Sequence, residues 1–482
     1  MGKIIRKYKE LPVQVRASFW FLICAFLQKG ISMLTTPIFT RILDTAEYGQ
    51  YNVFNSWLGI ISIFVSMSLA GGGYTQGLVK YEKDRKEFAS AIQGLLITLL
   101  MFWSLIYFLF HTYWNSFFKL TTIQMVAMLV MIWTSTVFSL WSNDQRVDYK
   151  YKALVIITLV VSVLKPALGI GLVINSNDKV TARILGLVLI ELLAYSWLSV
   201  VQLYKGKRFF SKKYWKYAAL FNLPLIPHYL SQIVLNSADR IMISNMIGDS
   251  EAGIYSLAYS LSSIMNLFNV ALMQTLNPWI YKKIKEKKIE DISSIAYLTL
   301  IIISVVNLFL ILLAPEIVSF FAPKSYYSAV WIIPPVALSV YFMYSYDLFA
   351  KFAFYFEKTN LIMITSILGA IINVVLNYIF IDMFGYIAAG YTTMLCYMIY
   401  SVAHYILMNI ICKKFCDGIR PYSTKTLLAI TIPFIMVGGG LALTYNHFII
   451  RYGMIAILFA GIIVKRKKMI EFGKKFIRIK NC

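Results

Sequence analysis

The chain has 482 residues, is 59% hydrophobic and 14% charged, and has a mean hydropathy of +0.69. That balance is too apolar for a water-soluble domain. The net charge of +24 would suit a nucleic-acid binder, but the basic residues sit in short loops between apolar runs, which excludes nucleic acid as a partner and points to a membrane.

Apolar runs of about twenty residues match a 30 Å hydrocarbon core at 1.5 Å rise per residue. They predict an all-α polytopic membrane protein with about fourteen transmembrane helices, at 16–38, 49–70, 90–110, 122–142, 152–174, 181–204, 225–247, 252–274, 293–313, 330–350, 360–381, 386–411, 424–445 and 448–464. A β-barrel would need sustained alternation, which no stretch shows. The first run, within SFWFLICAFLQKGISMLTTPIF (18–39), is too long for a cleaved signal, and no small-x-small site follows it before TRILDTAEYG.

With both termini on the cytoplasmic side, and residues at the span edges counted with the adjoining loops, 37 of the 46 Lys and Arg fall in inner loops and tails, 6 outside and 3 within spans. The opposite orientation inverts the positive-inside bias, so both termini are expected to be cytoplasmic. Inner segments such as KGKRFFSKKYWK (205–216), KKIKEKK (282–288) and KRKK (465–468) read as anchors on anionic lipid. The five cysteines and four histidines form no ligand set with metal spacing, and no cofactor motif occurs, so no metal or cofactor is expected.

An internal repeat divides the chain. ILDTAEYGQY (42–51) aligns with MIGDSEAGIY (246–255) at an offset of 204, and KALVIITLVVSVLK (152–165) with TNLIMITSILGAII (359–372) at 207. Residues 1–214 and 215–412 are therefore expected to be two like-oriented six-helix bundles, with two extra helices and a basic tail in 413–482. Such pairs enclose a cavity at their interface in transporters. In FNLPLIPHYL (221–230), Pro224 and Pro227 remove backbone donors and predict a kink, hence a candidate hinge, at the start of the seventh span.

Four side chains that carry charge fall near the bilayer midplane. Lys29, Lys165 and Glu191 lie within about two residues of their span centres, and Arg240 is about four residues, or some 6 Å, outward of its own. Each costs on the order of 2.5–3.5 kcal/mol in lipid unless it meets water or a partner. Two readings stay open at this point. Glu191 can neutralise Lys165 across the hairpin of the fifth and sixth spans; Asp239 adjoins Arg240, but neighbours on a helix point about 100° apart. A surplus of cations at the midplane would instead receive an anionic substrate. Gln28, Gln232, Asn236, Asn373 and Asn377 fit a polar cavity equally well as they fit helix–helix glue.

The order of TRILDTAEYGQY, the 222–260 segment with its Asp-Arg pair, NPWIYKK (277–283), YYSAVWIIPP (326–335) and INVVLNYIFI (372–381) resembles polysaccharide transporters of the MOP (multidrug/oligosaccharidyl-lipid/polysaccharide) exporter superfamily, over essentially the whole chain. The resemblance implies a two-bundle fold like that of MATE exporters and the lipid II flippase, and no enzymatic activity. It implies a Wzx-type flippase that moves undecaprenyl-pyrophosphate-linked oligosaccharide across the bacterial cytoplasmic membrane by alternating access, for capsule, O-antigen or exopolysaccharide synthesis, alongside a polymerase and glycosyltransferases. Arg41, Lys29, Asp239 and Arg240 fall at positions that would line its cationic cavity; Lys165 and Glu191 rest on depth alone. Asp239 or Glu191 would serve ion coupling or charge balance. The alternatives are a MATE-like exporter of organic cations, which needs a more acidic cavity, and a glycan polymerase or ligase, which needs a large outer loop.

Overall fold

A computed structural model describes residues 12–464, so the basic tail segment 465–468 and the chain termini lie outside it. The described residues form no strand. In chain order the helices are α1 (Val13–Ile42), α2 (Thr45–Ser66), α3 (Gly72–Lys80), α4 (Arg85–Leu109), α5 (His111–Phe118), α6 (Thr122–Val147), α7 (Tyr151–Ile174), α8 (Lys179–Gly206) and α9 (Lys212–Asn222). They continue as α10 (Ile226–Met246), α11 (Asp249–Ser263), α12 (Asn266–Lys285), α13 (Glu290–Leu312), α14 (Ala314–Phe321), α15 (Ile333–Tyr355), α16 (Thr359–Phe384), α17 (Ala388–Phe415), α18 (Thr424–Ala442) and α19 (Phe448–Val464).

A helix stands at each of the fourteen expected span positions. Eleven are long and apolar enough to cross a bilayer, and a twelfth is a bent pair in which the 3₁₀ helix Lys324–Trp331 meets α15 at 48°. α2 falls short because its opening TAEYGQYN is polar, and α19 because it is only 17 residues long. The helices are inverted relative to a soluble protein. On α8, Leu189, Leu193, Trp197, Val200 and Tyr204 recur at helical spacing and are exposed, while Glu191, Ser199 and Gln202 are buried. An apolar outside over a polar inside is what lipid requires as solvent.

The acids of the repeated motif are helix starters. Asp44 accepts from the Glu47 amide at 2.8 Å and Glu47 accepts from the Asp44 amide at 2.9 Å, a capping box that opens α2. In the second copy Asp249 and Glu251 occupy the first turn of α11, favourably placed on the helix dipole.

The described residues divide into two compact units, one ending at Ile233 and the other beginning at Val234, inside α10. The division expected after residue 214 lies one short helix earlier. Within the first unit α8 packs on α4, α6 and α7, and α7 also packs on α1. Within the second, α15 packs on α13 and α17, and α17 on α16. α15 is the axis of that unit: 18 of its 23 residues are buried. It is apolar nearly all round, as a helix covered on every side must be. The two last helices, α18 and α19, pack on α13. Near the start of α19 the Arg451 guanidinium, only 5% exposed, pairs with Glu316 of α14, and the Tyr452 hydroxyl donates to the same carboxylate at 2.9 Å.

Asp148, which caps the end of α6, pairs with Arg85 and accepts from Lys150 at 2.7 Å. The Lys150 ammonium, aided by Arg85 against partial desolvation, holds the Asp148 carboxyl below its ordinary range. Pro224 lies in a 3₁₀ turn, Leu223–Leu225, that interrupts the 35-residue span 212–246, and Pro227 is the second residue of α10. The prolines expected to kink the seventh span thus sit at a 3₁₀ interruption of the helix. A second break, at 264–265 between α11 and α12, carries no proline and has no counterpart in the sequence-based expectations.

Candidate functional site

In the first unit the hairpin of α7 and α8 brings two charges together. A Cβ on Gly186 would lie 2.6 Å from the Gly169 Cα, so the two helices approach as closely as glycine permits. One turn from Gly169, the Lys165 ammonium pairs with Glu191. The other oxygen of that carboxylate accepts from Thr134 of α6 at 2.8 Å, and the Tyr195 ring stands 5.8 Å from the ammonium. Glu191 is 4% exposed. Of the two readings open for Lys165, the geometry is that of the pair, so its charge is already met.

α1 is different. In its most apolar stretch only 11% of the residues are buried. Gln28 and Lys29 are exposed, and Lys29 has no ion-pair partner among the described residues. One turn on, Thr35 and Thr36 return their hydroxyls to the Ser32 carbonyl at 3.0 and 2.9 Å, which satisfies them within the helix. Arg41 is exposed too, and donates to the Pro37 carbonyl at 2.7 Å.

In the second unit a carboxylate is buried without an ammonium or guanidinium in ion-pair contact. Asp239 of α10 is 1% exposed and accepts from three neutral groups: the Tyr255 hydroxyl at 2.5 Å, the Asn377 amide at 2.7 Å and the Thr393 hydroxyl at 2.9 Å. These come from α11, α16 and α17. Asn377 also donates to Asn373 at 3.3 Å and accepts from Thr392, and both asparagines are fully buried. The Asn373 amide nitrogen finds no acceptor.

The neighbouring Arg240 points elsewhere, as the helical angle predicts. Its Nη1 donates to the Asn236 carbonyl at 2.9 Å, its Cζ lies 4.5 Å from the centre of the Tyr259 ring, and its Nε has no hydrogen-bond partner. Tyr259 and Tyr397 both donate to the Asn236 side-chain oxygen, at 3.1 and 3.3 Å. Asn236 thus belongs to this cluster. Gln232 lies one turn earlier on the same helix and is partly exposed.

One polar surface escaped the search for charges. In NLFNVALMQTLN (266–277), Asn266, Asn269, Gln274 and Asn277 recur at intervals of three to five residues. Carboxamides at that spacing in a span were a legible signal. They line a cavity against α15.

Comparison with known proteins places these constellations in context. A family model described as "Polysaccharide biosynthesis protein" matches residues 15–284, more than half of the chain, and one described as "MatE" matches 224–379. A protein described as an uncharacterized membrane protein of Haemophilus influenzae is 22% identical over 378 residues, covering 74% of this chain and 88% of the relative. Among solved structures, an inward-facing multidrug resistance MATE family transporter of the MOP superfamily aligns with a TM-score of 0.61 at 14% identity, over 81% of this chain and 96% of its own. A MATE transporter of Vibrio cholerae aligns with a TM-score of 0.55 at 10% identity, over 83% and 97%. At these identities the structural likeness establishes the fold.

Proposed function

Because this chain belongs to the polysaccharide biosynthesis protein family of the MOP superfamily, and is therefore a multi-pass membrane transporter or flippase, we propose that its cargo is an oligosaccharide on undecaprenyl pyrophosphate. The observation that carries this reading is the state of the cations in the spans. Lys165 is neutralised, whereas Lys29 and Arg240 have no carboxylate partner among the described residues.

A pyrophosphate supplies what those two groups lack. Lys29 offers an exposed point charge, and Arg240 a fork with an unused Nε donor, which suits phosphate oxygens. Arg41 adds charge one helix end away. The bundles alternate access so that the head group loads from the cytoplasm and leaves outside, while the polyprenyl chain stays in lipid. A head group of charge near −2 leaving a cell that is negative inside gains roughly 4–5 kcal/mol at 100 mV, so export proceeds without a nucleotide. Asp239, buried and held only by neutral donors, is the site at which a proton or monovalent cation couples to the cycle. Glu191, bonded to Lys165, is structural. The protein works in the bacterial cytoplasmic membrane with both termini inside, next to the glycosyltransferases and polymerase that make and consume its cargo.

The test is charge removal. Cells carrying Lys29→Ala with Arg240→Ala are expected to lose surface glycan and accumulate lipid-linked repeat units on the inner leaflet, with the protein inserted at its normal level. Unchanged glycan export in those cells would defeat the assignment.

A further inference from the structure

The cavity of about 310 Å³ between α12 and α15 is at the small end of ligand pockets. Its chemistry is unusual for a membrane span. From α12 come the carboxamides of Asn266, Asn269, Gln274 and Asn277; from α15 come Tyr344, Tyr346 and Asp347. Asn269 is 8% exposed and Tyr344 1% exposed. The Asn269 amide is anchored, donating to the Val340 carbonyl at 3.1 Å and to Asn266 at 3.3 Å. Its oxygen has no partner among the described residues, and the same holds for the Asn277 side-chain oxygen. Two orphaned carboxamide oxygens around one hollow are a cost that helix packing does not require. Val270 and Gln274, both exposed, mark its accessible edge.

Charge separates the possible occupants. Asp347 is bonded to Lys351, itself 7% exposed, at 2.5 Å, so the carboxylate is already neutralised and the cavity attracts neither a free cation nor an anion. What remains is a neutral lining with donors and acceptors interleaved, and a tyrosine ring, Tyr346, on its wall. A sugar residue has that complement: hydroxyls that donate and accept at once, and a C–H face that packs on an aromatic ring.

We propose that this cavity is a glycan subsite that holds one uncharged hydroxyl-rich sugar residue of the cargo. The proposal rests on the flippase reading for the lipid to which the sugar is attached, but the sugar contact is separable from it. The full-length protein in nanodiscs is presented with two probes: free N-acetylglucosamine, read by saturation-transfer NMR, and undecaprenyl pyrophosphate without sugar, read by tryptophan fluorescence. The parent should show transfer to the sugar. Asn277→Leu and the rim variant Gln274→Leu should each weaken that signal at least tenfold while binding the bare lipid as the parent does. Gln274 is exposed, so its variant folds even where the buried one fails. No transfer to the sugar in the parent, or transfer that both variants keep, overturns the subsite. Transfer to the sugar with no binding of the bare lipid upholds the subsite and sinks the pyrophosphate reading instead.

Discussion

The two units, expected from the sequence to be copies of one repeat, treat buried charge in opposite ways. In the first, Glu191 meets Lys165, and Thr134 closes the other side of the carboxylate. In the second, Asp239 meets only hydroxyls and an amide, while Arg240 turns to a ring and a carbonyl. With the offset of 204, Asp239 and Arg240 correspond to Thr35 and Thr36 of α1, whose hydroxyls merely return to their own helix. The same helix position thus carries spectator hydroxyls in one copy and two separately solvated charges in the other. A repeat preserves where helices begin and how they pack; it leaves the electrostatics of each copy free to diverge.

The contrast is sharpest in what a second substitution does. Glu191→Leu strands an ammonium in the first unit and should cost about 3 kcal/mol. Adding Lys165→Leu should restore most of it, as measured by thermal unfolding of the purified protein. Asp239→Ala should cost about 2 kcal/mol, since the Tyr255, Asn377 and Thr393 donors lose their acceptor. Here Arg240→Leu should give no rescue, because the two side chains are not partners. Rescue in the second unit, or none in the first, would erase the distinction. Lys29→Ala tests the exposed charge: stability should change by less than about 0.5 kcal/mol, yet surface glycan should fall sharply.

The smallest effect is expected at the end of α6. Because the Asp148 pKa is depressed in the folded chain, its contribution is fully present above the ordinary carboxylate pKa. It is lost as pH falls from about 4 through the depressed value. Asp148→Asn should lower the melting temperature slightly at pH 7, and the difference from the parent should shrink as the pH is taken below 4, measured by the same unfolding assay.

Much of the fold was legible because lipid enforces it: every backbone polar group in hydrocarbon must pair within its own helix, so spans announce themselves as long apolar runs. The prolines announced the break at 223–225 for a similar local reason. The break at 264–265 has no such residue. For the site, depth pointed to Lys29, Lys165, Glu191 and Arg240, and the Asp-Arg pair of the family resemblance to Asp239. Their partners were another matter. Thr393 is 154 residues from Asp239, and only packing reveals that the acid is held by neutral donors while Lys165 is not free. The carboxamide face of α12 was written in the sequence but passed over, because a search for charge in a membrane overlooks uncharged polarity.

The Arg451–Glu316 bond has a practical consequence for anyone who shortens this protein. α19 looks dispensable as a short apolar helix at the end of the described residues, yet it delivers the guanidinium that neutralises a carboxylate on α14. Deleting residues from 448 onward would uncover an orphan acid on the second unit and invite misassembly that has nothing to do with transport. A truncation that also carries Glu316→Gln removes that liability, and is the form in which the role of the terminal helices is best judged.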